Sequence, residues 1–197
     1  MNFALRLLTS KYDYALRRRP LLVKSLTSGF ILSLSDFTAQ CLNERKTNTL
    51  GRSHWDFSWY NYKQTLASGI GYGALFFTPL MHNVFAFWAF ALPSRSLAAV
   101  CFKTMVDSVV AFPMNVCALI SIQTLVKQDT PMGFEQRVAE VRSILEEKLW
   151  PTLLIGWKIW PAVTVVSYKF VPIMYRVLLL NTVSYCWNTG LILYTSA

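Results

Sequence analysis

Three blocks of the chain, 64–94, 108–126 and 177–197, contain no Asp, Glu, Lys or Arg. A helix needs roughly 20 consecutive apolar residues to cross about 30 Å of hydrocarbon, and a buried helix of a soluble domain rarely runs so long without charge. Composition points the same way. Of 197 residues, 54% are hydrophobic and 15% charged, whereas about a quarter of a soluble domain is charged. The expected fold is a single all-α membrane domain over 1–197, a polytopic bundle of four to five transmembrane helices with amphipathic interfacial helices.

The formal net charge of +9 does not argue for nucleic acid. The excess lies mainly in Arg6, Lys11, Arg17, Arg18, Arg19 and Lys24, and in the segment from Arg45 to Lys63. Basic residues flanking apolar spans are what membrane topology and anionic headgroups select, and no RNA-binding or zinc-finger pattern accompanies them. The expected partner is the lipid bilayer, with no nucleic acid; a homo-oligomer is left open. Cys41, Cys101, Cys117 and Cys186 are far apart and form no CxxC pair, so neither a disulfide framework nor a metal site is expected.

Along the chain, 1–19 is basic and amphipathic, and 21–42 is a polar first span that follows Pro20. A polar, aromatic connection covers 44–59. The second span, 65–92, carries Gly69 and Gly73 at GxxxG spacing, which lets two helix backbones approach closely in lipid. Pro79 then kinks or breaks this helix. The third span, 97–126, contains Pro113. Between 127 and 148 acids and bases alternate around Val138, Val141, Ile144 and Leu145, the pattern of an amphipathic helix lying along a membrane. The last apolar region divides at Pro172 into 150–170 and 172–194.

A carboxylate at membrane depth is costly unless paired or wetted, which singles out Asp36 and Asp107. Lys103 and Asp107 are spaced i,i+4 and can pair on one helix face. One reading is a water-accessible polar seam of Asp36, Gln40, Lys103 and Asp107; the other is an interhelical pair joining spans one and three. His82 either titrates near neutral pH or bonds a carbonyl freed by Pro79. Lys158, Lys169 and Arg176 either snorkel to headgroups or face a cavity. Trp150, Trp157, Trp160 and Trp187 fit an interfacial aromatic belt better than a ligand cage. His54 and His82 are the two histidines, and no GxSxG, phosphate loop or HExxH is present, so no enzyme and no cofactor are expected.

The string Trp157-Lys158-Ile159-Trp160-Pro161, then Val171-Pro172, Tyr175-Arg176-Val177, Asn181 and Trp187-Asn188, resembles the signature of the twenty-two-kilodalton peroxisomal membrane protein family. That family includes the mitochondrial inner-membrane proteins Mpv-seventeen and Sym-one. Upstream, Tyr12, Leu16, Pro20 and Gly29, then Ser35-Asp36 with Ala39-Gln40, Pro79 with His82, and Lys103, Asp107 and Pro113 follow its order. Ser35, Thr78, Ser108, Thr164, Ser167 and Gly190 depart from its pattern. The resemblance implies an organelle membrane protein that forms a channel for small solutes or ions. A non-conducting scaffold or lipid-contact protein is the alternative. The basic, acid-poor N-terminus leans towards the mitochondrial inner membrane, with the peroxisomal membrane as the alternative; Thr195-Ser196-Ala197 is not a peroxisomal tripeptide.

Overall fold

A computed structural model describes residues 3–47, 60–126 and 133–195, with side-chain surroundings for 11–44, 60–126 and 133–190. Most of the 44–59 connection, His54, Asp129 and the last two residues of the terminal tripeptide lie outside the described residues. Helix α1 covers Phe3–Arg18 and α2 covers Pro20–Thr47. A proline is well placed at the first turn, where its missing N–H has no intrahelical partner to lose. Tyr62–Ala91 forms one long rod of α3 (Tyr62–Leu66), a π-helical segment (Ala67–Phe77) and α4 (Thr78–Ala91). A second rod, Leu97–Val126, comprises α5 (Leu97–Val109) and α6 (Ala111–Val126). Helices α7 (Phe134–Phe170) and α8 (Arg176–Thr195) complete the bundle. No β-strand occurs among the described residues.

Local chemistry explains the starts and breaks. Asn61 Oδ1 accepts the Gln64 N–H at 3.1 Å to open α3, and Ser96 Oγ accepts the Ala99 N–H at 3.3 Å to open α5, each supplying an acceptor to an orphan N–H. In the π segment a backbone N–H bonds the carbonyl five residues back, as Thr78 does to Gly73. Pro79 has no N–H to offer Ala74 in that register, and Ser25 Oγ donates to the Ala74 carbonyl at 3.0 Å instead. Pro113 likewise ends the straight run of α5 near Val110, because its ring clashes with the carbonyl four residues back. The Trp157 indole donates to the nearby Ser108 carbonyl at 2.9 Å.

Helix α2 is built inside out relative to a soluble helix. Leu22, Leu26, Phe30, Leu34 and Phe37 form an exposed stripe, while Lys24, Ser28, Leu32, Ser35, Asp36 and Ala39 are buried. Water would favour the reverse, so this arrangement belongs to a chain whose outer surface meets lipid. The exposed Leu75, Phe87, Phe90, Met105, Val109 and Phe170 repeat the pattern on other helices. Three helical stretches, Tyr62–Ala91, Leu97–Val126 and Phe134–Phe170, are long and apolar enough to cross a membrane. Helix α2 runs antiparallel beside the first of these, from Lys24 at His82 to Asp36 at Thr65. Helix α8 runs parallel to α2, with Asn181 at Ser28 and Thr189 at Ser35. The molecule is an all-α membrane bundle.

Two boundaries differ from the sequence reading. Residues 127–148 and 150–170 were expected as separate elements, but Phe134–Phe170 is one 37-residue helix that continues through Pro151 and Pro161. At about 1.5 Å per residue it is roughly 55 Å long, well beyond the hydrocarbon thickness, so its charged first half projects past the apolar layer. The last helix starts at Arg176 rather than 172, because Val171–Tyr175 forms a turn closed by a 2.9 Å bond from the Tyr175 N–H to the Pro172 carbonyl.

Candidate functional site

Gly69 and Gly73 let two helices approach closely, and the approach is within the chain. A Cβ built at Gly69 would lie 1.9 Å from Ser33 Oγ and 2.7 Å from the Gly29 carbonyl oxygen; one at Gly73 would lie 2.9 Å from a Leu32 methyl. The π segment is thereby pressed against α2, and polar side chains of α2 and of the Tyr62–Ala91 rod meet at two levels, around Asp36 and at Ser28 with Thr78.

At the first level sits Asp36, which is 1% exposed. Its Oδ2 accepts from Gln40 Nε2 and Thr65 Oγ1, both at 2.7 Å, and its Oδ1 accepts from Gln64 Nε2 at 3.0 Å and Ser68 Oγ at 3.2 Å. Ser68 Oγ in turn accepts from Gln123 Nε2 at 3.2 Å, reaching α6. Four donors satisfy the carboxylate without a cation, the arrangement that makes a buried charge tolerable.

Asp107 lies at the other end. Its Oδ1 accepts from the Trp88 indole at 2.8 Å and its Oδ2 from the Tyr168 hydroxyl at 2.5 Å. Since Thr65 and Trp88 stand near opposite ends of one rod, the two carboxylates are separated by on the order of 30 Å along the bundle. The expected single seam of Asp36, Gln40, Lys103 and Asp107 is therefore two sites. The expected Lys103–Asp107 pair is also absent: Lys103 Nζ donates to the Ser94 carbonyl at 2.9 Å and lies 5.5 Å from the Tyr168 ring centre. The Ser94 carbonyl, in the turn before α5 and outside any helix, accepts from the ammonium.

Between these ends is a cavity of about 60 Å³. Its polar lining includes Asp107, Ser108, Asn115, Thr164, Ser184 and Asn188, and its aromatic wall includes Phe112, Trp160 and Trp187. Phe112, Trp160 and Trp187 pack edge-on or tilted with ring centres 6.0 to 6.4 Å apart. The Trp160 indole N–H is buried without a hydrogen-bond partner. A cavity needs at least about 10–15 Å³ of such volume to hold a water where polar partners are present, so this one has room for water. Asn115 Oδ1 accepts weakly from Tyr72 at 3.5 Å, and its Nδ2 donates to the Ala111 carbonyl at 2.8 Å.

The remaining sequence candidates divide. His82 does not take the carbonyl freed by Pro79; its Nδ1 faces Lys24 Nζ at 3.3 Å, and since an ammonium only donates, the ring nitrogen accepts. Arg176 is buried, bonds the Val171 carbonyl at 3.1 Å and stacks 5.0 Å from the Tyr168 ring centre. Lys158 points outward from α7, away from the cavity. Trp160 and Trp187 line the interior rather than an interfacial belt, whereas Trp150 is exposed. Asn181 is a packing hub: its Nδ2 donates to Ser28 Oγ at 2.6 Å, which also accepts from Thr78 Oγ1 at 2.5 Å, joining α8, α2 and α4. Pro161 lies within α7, and Val171 closes it through a 3.2 Å bond to the Ser167 carbonyl. Outside the spans, Tyr175 donates to Asp13 at 2.6 Å, a bond that raises the phenol pKa and pins α1 to the α7–α8 turn. No three His, Cys, Asp or Glu residues converge as a metal site among the described residues.

Tyr168, Trp88, Gln64, Thr65, Ser68 and Asn115 were not picked out from the sequence. For Tyr168 and Trp88 a signal was present, since a Tyr hydroxyl or Trp N–H within an apolar stretch requires a partner.

Residues 134–191 match the model of the Mpv17 / PMP22 family. Among characterised relatives, Protein SYM1 of Saccharomyces cerevisiae is 25% identical over 187 residues, covering 91% of this chain and 86% of its own. Protein SYM1 of Eremothecium gossypii is 28% identical over 184 residues, covering 91% of each chain. Peroxisomal membrane protein 2 of Bos taurus is 28% identical over 180 residues, covering 90% of this chain and 84% of its own. No solved structure matches. The family resemblance thus holds along nearly the whole chain, with the α7–α8 block carrying the family pattern.

Proposed function

From that family likeness as premise, we propose that the chain is an organelle membrane protein that passes small solutes or ions through the interior of its helix bundle. The observation that carries this reading is the internal cavity, with Asp107, Asn115 and Ser184 in its wall and the unpaired Trp160 N–H buried beside it. An unmet donor beside a cavity that carries some polar groups in its wall is what a site visited by water or a polar solute offers. On this reading the chain conducts without making or breaking a covalent bond, and no cofactor takes part. The mitochondrial inner membrane is the location we assign, on the likeness to the SYM1 proteins and the basic N-terminus. The peroxisomal membrane is the alternative, supported by the likeness to peroxisomal membrane protein 2. A fluorescent fusion imaged against markers of both organelles separates them.

Single-channel recording of the purified chain in planar bilayers tests conduction. Unitary currents are expected, and silence across voltage, pH and redox conditions would sink the proposal. One observation favours a non-conducting scaffold instead: all four contacts of Asp36 come from the bundle's own side chains, as a packing device would have it. Under the scaffold reading, Asp36→Asn and Asp107→Asn impair assembly and there is no current to alter. Under conduction, Asp107→Asn assembles and carries a changed current.

A further inference from the structure

The end of the bundle where α2, α4, α5 and α8 meet holds more positive charge than its neighbours balance. Lys24, Lys103 and Arg176 keep only 5%, 5% and 7% of their surface exposed. Each terminates on a neutral group: Lys24 on His82, Lys103 on the Ser94 carbonyl, and Arg176 on the Val171 carbonyl. Lys103 and Arg176 share the Tyr168 ring, at 5.5 and 5.0 Å from its centre. Arg176 also lies 5.6 Å from the centre of the Phe85 ring, one turn along α4 from His82, the partner of Lys24. Asp107 is the carboxylate nearest the cluster, but its two oxygens accept from Trp88 and Tyr168, and none of the three cations donates to it. Three cations and one carboxylate leave a formal charge of +2. Arg95, exposed in the turn before α5, adds to the field.

Buried like charges held together without a counter-charge cost several kcal/mol, and a bound anion removes that cost. The magnitude selects the anion. A carboxylate brings −1 and leaves the cluster unbalanced, whereas a phosphate monoester carries about −1.5 to −2 at pH 7. Position agrees, because Lys24 stands one turn from Pro20, Arg176 opens α8 and Lys103 reaches the turn at Ser94. These are positions at the ends of helices or in the turn before one, and basic pockets between membrane helices receive phosphate headgroups.

We propose that this cluster binds one phosphate monoester group, with Lys24, Lys103 and Arg176 as its charge partners and His82 orienting Lys24. None of the three cations lines the cavity, although Asp107 borders both, and the site does not require conduction. The group can arrive on a lipid, as in phosphatidic acid, or free in solution.

The test is thermal unfolding of the purified full chain in neutral detergent, followed by tryptophan fluorescence. One arm titrates inorganic phosphate against chloride at matched ionic strength; the other compares phosphatidic acid with phosphatidylcholine in mixed micelles. A rise in the unfolding midpoint that saturates with phosphate, with phosphatidic acid, or with both is the expected result. Response to the lipid alone identifies a headgroup site, and response to inorganic phosphate admits soluble monoesters. Lys24→Gln should weaken the response at least about tenfold, while Lys158→Gln, an outward-facing cation on α7, should leave it unchanged. The proposal is overturned if neither ligand exceeds its control, or if Lys24→Gln and wild type respond equally. Should Lys24→Gln fail to fold, Lys103→Gln, which removes another of the three charges, takes its place as the variant that must weaken the response.

Discussion

Removing the Asp36 carboxylate should destabilise the bundle more than neutralising it. Asp36→Ala withdraws acceptors from Gln40, Thr65, Gln64 and Ser68 at once. Gln40 and Thr65 retain the Asn61 carbonyl at 3.2 and 3.5 Å. Gln64 Nε2 and Ser68 Oγ lose the acceptors they donate to. A buried Ser68 donor at roughly 1–3 kcal/mol, with a half-buried Gln64 donor that counts for less, puts the loss at about 2–4 kcal/mol. Asp36→Asn keeps the shape and one acceptor oxygen, and a rotated Thr65 hydroxyl can accept from the new amide, so its cost should be about 1–2 kcal/mol. Denaturant unfolding of detergent-solubilised protein, followed by helical circular dichroism, measures both. A loss under about 0.5 kcal/mol for Asp36→Ala would show that water, not the bundle, satisfies those donors, and would refute the packing role assigned to them.

Three further outcomes follow from single contacts. Gly69→Val should lower folded yield sharply, since even its Cβ meets Ser33 and Gly29, while Gly190→Ala, with nothing within 4 Å of its Cβ, should be neutral; size-exclusion recovery after extraction compares them. Tyr168→Phe removes one of two donors to a buried carboxylate and should cost about 1.5–3 kcal/mol in the same unfolding assay. Trp160→Phe deletes a donor that has no partner but also trims a ring packed on Phe112 and Trp187, so stability should fall by about 1–2 kcal/mol, while unitary conductance changes if the cavity carries solute.

Fold class was legible because the bilayer imposes long uncharged runs that no local rearrangement disguises. Helix breaks were less so. Pro172 falls in a turn as its chemistry suggests, yet Pro151 and Pro161 sit inside one helix, where neighbouring helices and local adjustment can re-satisfy the carbonyl each leaves free. Asp36 and Asp107 stood out individually from their depth. Their separation did not, because it depends on the antiparallel register of α2 against Tyr62–Ala91, set by the Gly69–Ser33 contact between elements 36 residues apart. The i,i+4 spacing of Lys103 and Asp107 allowed a pair, but Trp88, Tyr168 and the Ser94 carbonyl offered better partners. Those partners come from other elements and from a turn, which local spacing does not reveal.

The most direct test of conduction through the cavity is thiol modification during recording. Cys41, Cys101, Cys117 and Cys186 are first replaced by serine or alanine, and Ser184, buried in the cavity wall, is changed to cysteine. A charged, water-soluble thiosulfonate added to an open channel should reach this thiol and cut the current in discrete steps that a reducing agent reverses. Currents that persist unchanged after mass spectrometry confirms modification would mean that solute does not pass through this space.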